Sequence, residues 1–185
     1  MIDADGYRPN VGMIICNQHN QVLWAKRVGE NAWQFPQGGI DGDESPEQAV
    51  FRELMEEVGT DKVCIIGRTR GWLRYDVPGA RKPSRQRRYR GQKQIWFLLR
   101  FEGSEAEINL QTEHPEFEDW QWVDYWRPAE EIIAFKRRVY CLALQELAPL
   151  IGAPPAPFPV PERSGAPFRR GRRYPQRRRH NTDSA

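Results

Sequence analysis

A helix with both ends written into its sequence lies a quarter of the way along this 185-residue chain. It opens on Ser45-Pro46-Glu47-Gln48: Ser45 can cap, Pro46 suits the first helical position, and Gln48 completes a capping box three residues on. Gly59 is the stop signal, so a helix is expected from Pro46 to about Val58. Val50, Leu54 and Val58 at i, i+4, i+8 give it one apolar stripe. A one-sided helix needs a sheet or helix to cover, and the flanking sequence supplies strands. Residues 10–16 and 21–28 read as a hairpin around polar Asn17–Asn20, and residues 33–40 are extended and Gly-punctuated. Further strand-like runs fall at 63–67, 71–77, 94–101, 106–111 and 118–123. A last helix is expected over about 129–150, with Ile132, Phe135, Val139, Leu142, Leu144 and Leu147 on its apolar side. No internal repeat is present. The expected class is α/β: a mixed sheet covered by helices in an α/β/α sandwich.

The early helix carries Glu53, Glu56 and Glu57 within one turn, where 56 and 57 flank 53 on one face. Like charges at this spacing destabilise an isolated helix by a few tenths of a kcal/mol per pair. A divalent cation removes that penalty, and hard carboxylate oxygens suit Mg²⁺ or Mn²⁺. Arg52 stands beside the cluster and can hold one carboxylate in place. The plain alternative is a solvated acidic face.

Charge is distributed unevenly. Residues 152–185 hold eight Arg against Glu162 and Asp183, a net +6, so the other 151 residues carry −3 of the chain's +3. This tail is rich in Pro and Gly and is expected to be disordered, either as a solvated extension or as an electrostatic arm for polyanions such as RNA. A second basic run joins Arg81, Lys82, Arg85, Arg87, Arg88, Arg90 and Lys93 without an acid, in a Pro- and Gly-flanked loop shaped for an anionic ligand. No window approaches 18 uninterrupted apolar residues, which excludes a transmembrane helix. The acidic start lacks an apolar leader core, so no secretory signal is expected. Cys16, Cys64 and Cys141 form no CxxC pair. They are expected to be buried thiols in a reducing cytoplasm.

Written out, Gly38-x5-Glu44-x7-Arg52-Glu53-Leu54-x-Glu56-Glu57-x-Gly59 resembles the box of the Nudix hydrolases. One position departs from it: Thr60 stands where an aliphatic residue follows the last Gly. The resemblance implies the Nudix fold over residues 6–150, with the box at 38–59, and metal-assisted hydrolysis of a nucleoside diphosphate linkage. It implies two or three Mg²⁺ (or Mn²⁺) ions on Glu53, Glu56, Glu57 and the Gly38 carbonyl. Glu53 would deprotonate or orient the attacking water, Arg52 would orient Glu53, and Glu57 would complete the catalytic set. Glu44 would anchor the loop.

Segments outside the box narrow the resemblance. Gly6-Tyr-Arg-Pro-Asn-Val-Gly12, Trp33-Gln-Phe-Pro-Gln-Gly-Gly-Ile40, Gly91-Gln-Lys-Gln94, Pro115-Glu-Phe117 and Phe135-Lys-Arg137 are similar to bacterial RNA pyrophosphohydrolases and plant-type dinucleoside polyphosphate hydrolases. The RNA enzymes convert a 5′-di- or triphosphorylated end to a monophosphate, which opens a message to 5′-end-dependent decay. Carried over, Glu116 is a further metal ligand or base. Arg8, Arg27, Gln37 and Lys136 hold 5′ phosphates or the first nucleotides, and Ile133 and Phe135 contact a base. The partner so implied is the single-stranded 5′ end of an RNA, with no membrane; whether a protein activator joins it is left open. The rival readings are hydrolysis of dinucleoside polyphosphates and a non-catalytic RNA-binding module.

Overall fold

Strand β1 (Tyr7–Cys16) forms the centre of the molecule because it is apolar on both faces, as a strand covered by helices on each side must be. The computed structural model describes residues 2–79 and 89–162. Within them β2 (Val22–Arg27), β3 (Trp33–Gln34), β4 (Gln37–Gly39), β5 (Val63–Arg68), β6 (Leu73–Asp76), β7 (Gly91–Phe101) and β8 (Phe117–Val123) join β1 in one mixed sheet. β7 runs parallel to β1 over its whole length, from Tyr7 opposite Gly91 to Cys16 opposite Arg100. β4 pairs with β1, β5 and β6 with β7, and β3 and β8 with β2, all antiparallel.

The period-2 alternation divides two cores. Val11, Met13 and Ile15 of β1, with Ile95, Phe97 and Leu99 of β7, face helix α1 (Pro46–Glu57) and its Ala49, Val50, Leu54 and Val58. Ile14, Cys16, Trp24, Trp96 and Leu98 face the opposite layer, α2 (Arg127–Glu131) and α3 (Ala134–Leu147). On this second face Trp24, Phe35, Trp96 and Tyr140 pack ring on ring, and the Tyr140 hydroxyl accepts from the Phe35 backbone N–H at 3.2 Å. That contact ties segment 33–37 to α3.

Helix α1 begins as expected, with both arms of the Ser45–Gln48 capping box formed, and Gly59 takes φ +72° beyond its end. Three expectations are corrected. Residues 106–111 are not a strand. Ser104 starts a short 3₁₀ turn, Glu105–Glu107, and its backbone N–H donates to Glu107 at 2.6 Å. The last helix is broken: Ile132 and Ile133 are extended between α2 and α3, and a 3₁₀ turn, Ala148–Ile151, follows. Two adjacent β-branched residues favour the extended form, and it lets Ile132 enter the core while Ile133 stays 56% exposed. Cys16 and Cys141 are buried, but Cys64 is exposed on β5.

The tail begins with order. Over residues 152–162, Ala153, Ala156, Phe158 and Val160 pack against the second core, and the Trp126 indole donates to the Pro154 carbonyl at 2.8 Å. Its Arg-rich remainder, residues 163–185, lies outside the described residues, as do Arg81, Lys82, Arg85, Arg87 and Arg88 of the basic loop.

Candidate active site

Helix α1 presents its carboxylates to the short strand β4. Glu53 and Glu57, one turn apart, are buried, at 8% and 3% exposure, whereas Glu56 faces outward. Glu53 fits because residue 38 has no side chain: a Cβ built on Gly38 would lie 1.7 Å from the Glu53 carboxyl carbon. The Gln37 backbone N–H donates to Glu57 Oε2 at 2.9 Å, while Glu57 Oε1 is buried without a hydrogen-bond partner.

Arg52 organises the near side. Its guanidinium meets Glu53 at 2.8 Å, Glu56 at 3.2 Å and Glu44 at 2.7 Å, and donates to the Gly39 carbonyl at 2.7 Å. Glu44 also accepts from the Asp41 N–H at 2.6 Å, so it anchors the loop ahead of the helix. The Arg52 contact holds the Glu44 carboxyl below its ordinary range, and the carboxylates, Glu44 first, raise the guanidinium's proton affinity further.

Glu116 arrives from far along the chain. It precedes β8, and its carbonyl accepts from the Val28 N–H at 3.0 Å, beside the end of β2. Burial raises the Glu57 carboxyl well above the usual carboxylate range. The charges of Glu116 and of Glu53 act in the same direction. Burial also raises Glu53, against the pull of Arg52.

The opposite charge stands next to this cluster. Lys136 of α3 is buried to 9% exposure, with its ammonium 3.1 Å from Gln34 Oε1. Burial first, and Arg27 second, push its pKa down to about 8, while Glu57 and Glu116 oppose the shift. Arg27 pairs with Glu30 at 3.4 Å, and its buried Nε has no partner. Lys136, buried, and Arg27, half-exposed but with a buried and idle Nε, repel one another and make an anion-seeking recess.

The sequence-derived residues thus divide. Gly38, Arg52, Glu53, Glu57, Glu116, Gln37, Arg27 and Lys136 gather at the junction of α1, β4, β2 and α3. Glu56 is tied to the cluster through Arg52. Arg8 is exposed and lies across Gly39. Ile133 is exposed at the α2–α3 break, and Phe135 is half-buried against Tyr75, ring centroids 5.8 Å apart. Sequence reasoning missed Gln34, Gln94, Asn10 and Tyr75; the available signal was a polar side chain inside an otherwise apolar strand.

Among the described residues, no three His, Cys, Asp or Glu side chains are gathered as a metal-binding group. The donor set still fits a hard divalent cation. It offers carboxylate oxygens that raise each other's proton affinity, one orphaned buried oxygen, and a glycine cradle that keeps Glu53 in place. No helix among the described residues is long and apolar enough to cross a membrane.

Comparison with known proteins places the chain in a family. The chain is 55% identical over 176 residues to the RNA pyrophosphohydrolase of Alkalilimnicola ehrlichii, covering 90% of this chain and 97% of that one. Among solved structures, a C. elegans Ap4A hydrolase binary complex superposes with a TM-score of 0.58 at 16% identity, over 78% of this chain and 98% of that chain. The E. coli dihydroneopterin triphosphate pyrophosphohydrolase gives 0.54 at 19% identity, over 76% and 98%. At these identities the structures speak for the fold alone. The NUDIX domain model matches residues 6–143, its family works with divalent metal ions, and this chain belongs to that family.

Proposed function

We propose that the chain is a Mg²⁺- or Mn²⁺-dependent RNA 5′-pyrophosphohydrolase that acts in the cytoplasm. It would convert a 5′-tri- or diphosphorylated end to a monophosphate and so start 5′-end-dependent decay. The observation that carries this is the meeting of two opposite sites. Buried carboxylates that need a cation adjoin buried Lys136 and the buried, unpartnered Nε of half-exposed Arg27, which need an anion. The name of the 55% identical relative supports RNA as the substrate.

In this reading Glu53, Glu56, Glu57, Glu116 and the Gly38 carbonyl hold two or three cations. Bound there, the ions neutralise phosphoryl oxygens and lower the pKa of water. Arg52 keeps Glu53 turned toward Gly38, where its carboxylate accepts the proton of the attacking water. The water oxygen bonds to phosphorus, the anhydride bond breaks, and pyrophosphate or phosphate leaves. Arg8, Arg27, Gln37 and Lys136 grip the phosphates, and Ile133 and Phe135 meet the first base. The folded domain would span residues 6–150, with 163–185 as a basic arm.

A side-by-side assay with Mg²⁺ tests it. A short 5′-triphosphorylated RNA and diadenosine tetraphosphate are each given to wild type and to Glu53→Ala. Faster release of pyrophosphate or phosphate from the RNA, lost in the variant, is expected. Preference for the dinucleotide would move the assignment to dinucleoside polyphosphates. Turnover of neither would leave a binding module.

A further inference from the structure

Behind the anion recess lies a run of side-chain amides of which the reaction as described uses only Gln37. Gln94 of β7 is fully buried. Its Nε2 donates both hydrogens, to Asn10 Oδ1 at 2.7 Å and to Gln37 Oε1 at 3.1 Å. Asn10 sits opposite Gln94 in the β1–β7 register and is itself 3% exposed, so the first bond fixes the amide plane of Gln94. The second fixes Gln37. With its Oε1 engaged from below by Gln94, Gln37 can turn only its NH₂ away from the sheet. The donors thus run from Gln94 to Asn10 and Gln37.

This order has a cost that needs a reason. Gln94 Oε1 is buried with no partner. An orphaned buried acceptor destabilises a fold, so the amide is kept for what its two donors hold, Asn10 and Gln37. An amide is required there only if its donors matter. A Gln37 side chain free to flip would present its oxygen, and not its NH₂, to an anion for part of the time.

We propose that Gln94, held by Asn10, is a positioning residue that locks Gln37 with its N–H groups toward the substrate phosphates. This rests on the reading of Gln37 as a phosphate contact. Gln94→Met should raise KM for triphosphorylated RNA about tenfold, equivalent to about 1.4 kcal/mol, with kcat within twofold and a lowered melting temperature, because Asn10 Oδ1 is left buried without its donor. In a Gln37→Ala background the same change should add less than twofold, because nothing remains to be positioned. In ¹⁵N spectra of the free protein the paired side-chain amide signals of Gln37, sharp in wild type, should broaden. Asn10→Ala should give the same KM pattern in weaker form and serves if Gln94→Met does not fold.

A KM effect undiminished by Gln37→Ala, or Gln37 signals indifferent to Gln94, would overturn the proposal. So would a fall in kcat and stability together without a change in KM. The spectra need no turnover. A wild type inactive on RNA whose Gln37 signals still depend on Gln94 would sink the RNA reading and leave the positioning intact.

Discussion

Lys136 is stored in the fold at a cost. Its pKa falls from the ordinary 10.5 to about 8, chiefly because burial strips water from the ammonium. Between those values the folded state binds fewer protons than the unfolded state, so stability rises with pH across that window. Below about pH 8 the full penalty applies, on the order of 3 kcal/mol. Lys136→Met should therefore melt higher than wild type at neutral pH, with the advantage shrinking toward pH 10.5. The same variant should raise KM for triphosphorylated RNA at pH 7 by tenfold or more. In wild type, affinity should decline as pH passes through about 8, and the variant should lose that dependence. A thermal-shift series from pH 6.5 to 10.5 and KM measured against pH check both. A destabilised variant would mean that Lys136 is held by more than Gln34.

Helix α1 carries Arg52, Glu53 and Glu57, the proposed catalytic residues, and its ends are separable from them. Removing the cap hydroxyl by Ser45→Ala should cost about 1 kcal/mol in denaturant unfolding. Gly59→Ala should cost more, because φ is +72° and a Cβ there would come within 2.4 Å of the Asn109 carbonyl. Both should keep a near-normal kcat below the melting transition, measured on the folded fraction. The same helix shows why part of the molecule was legible. Its cap, stripe and stop are local chemistry, so Ser45, Leu54 and Gly59 declare themselves in one dimension. The α2–α3 break does so only in part: adjacent Ile132 and Ile133 lean toward the extended form, but only the core they meet decides that one enters it and the other does not. Glu116 reaches Glu57 through the β2–β8 pairing, and Gln94 matters through Asn10 on another strand. Both depend on partners remote in sequence, and residues 106–111, where alternation alone suggests a strand, instead complete a 3₁₀ turn at Glu105–Glu107 and meet the end of α1 where the Asn109 N–H donates to the Val58 carbonyl.

At the scale of the whole molecule, the tail divides in two, and cutting it at two places separates its parts. Residues 152–162 run over the second core. Phe158 packs edge-on to Trp126 at 5.9 Å, the Pro154 carbonyl accepts from the same indole, and the Glu162 carbonyl accepts from Arg138 at 2.9 Å. Phe158, Pro159 and Pro161 wall a recess of about 590 Å³ together with Cys141 and Arg137. The remaining 23 residues hold eight Arg and one Asp. Ending the chain after Glu162 should leave the melting temperature unchanged and make RNA affinity fall less steeply with salt, because phosphate neutralisation and counterion release lose those cations. Ending it after Ile151 should in addition destabilise the fold by about 1–3 kcal/mol, from the lost aromatic contact, the apolar cover of the second core and the part-buried Trp126–Pro154 hydrogen bond. Thiol labelling gives an independent reading. Cys64 is exposed and should react at the same rate in all three chains, whereas Cys141, buried beside Phe158, should become reactive only in the shorter truncation. Equal melting temperatures for both truncations, with Cys141 still silent, would mean that the segment rests on the domain without supporting it. A salt dependence unaltered by either cut would place the RNA-binding charge wholly within the folded domain.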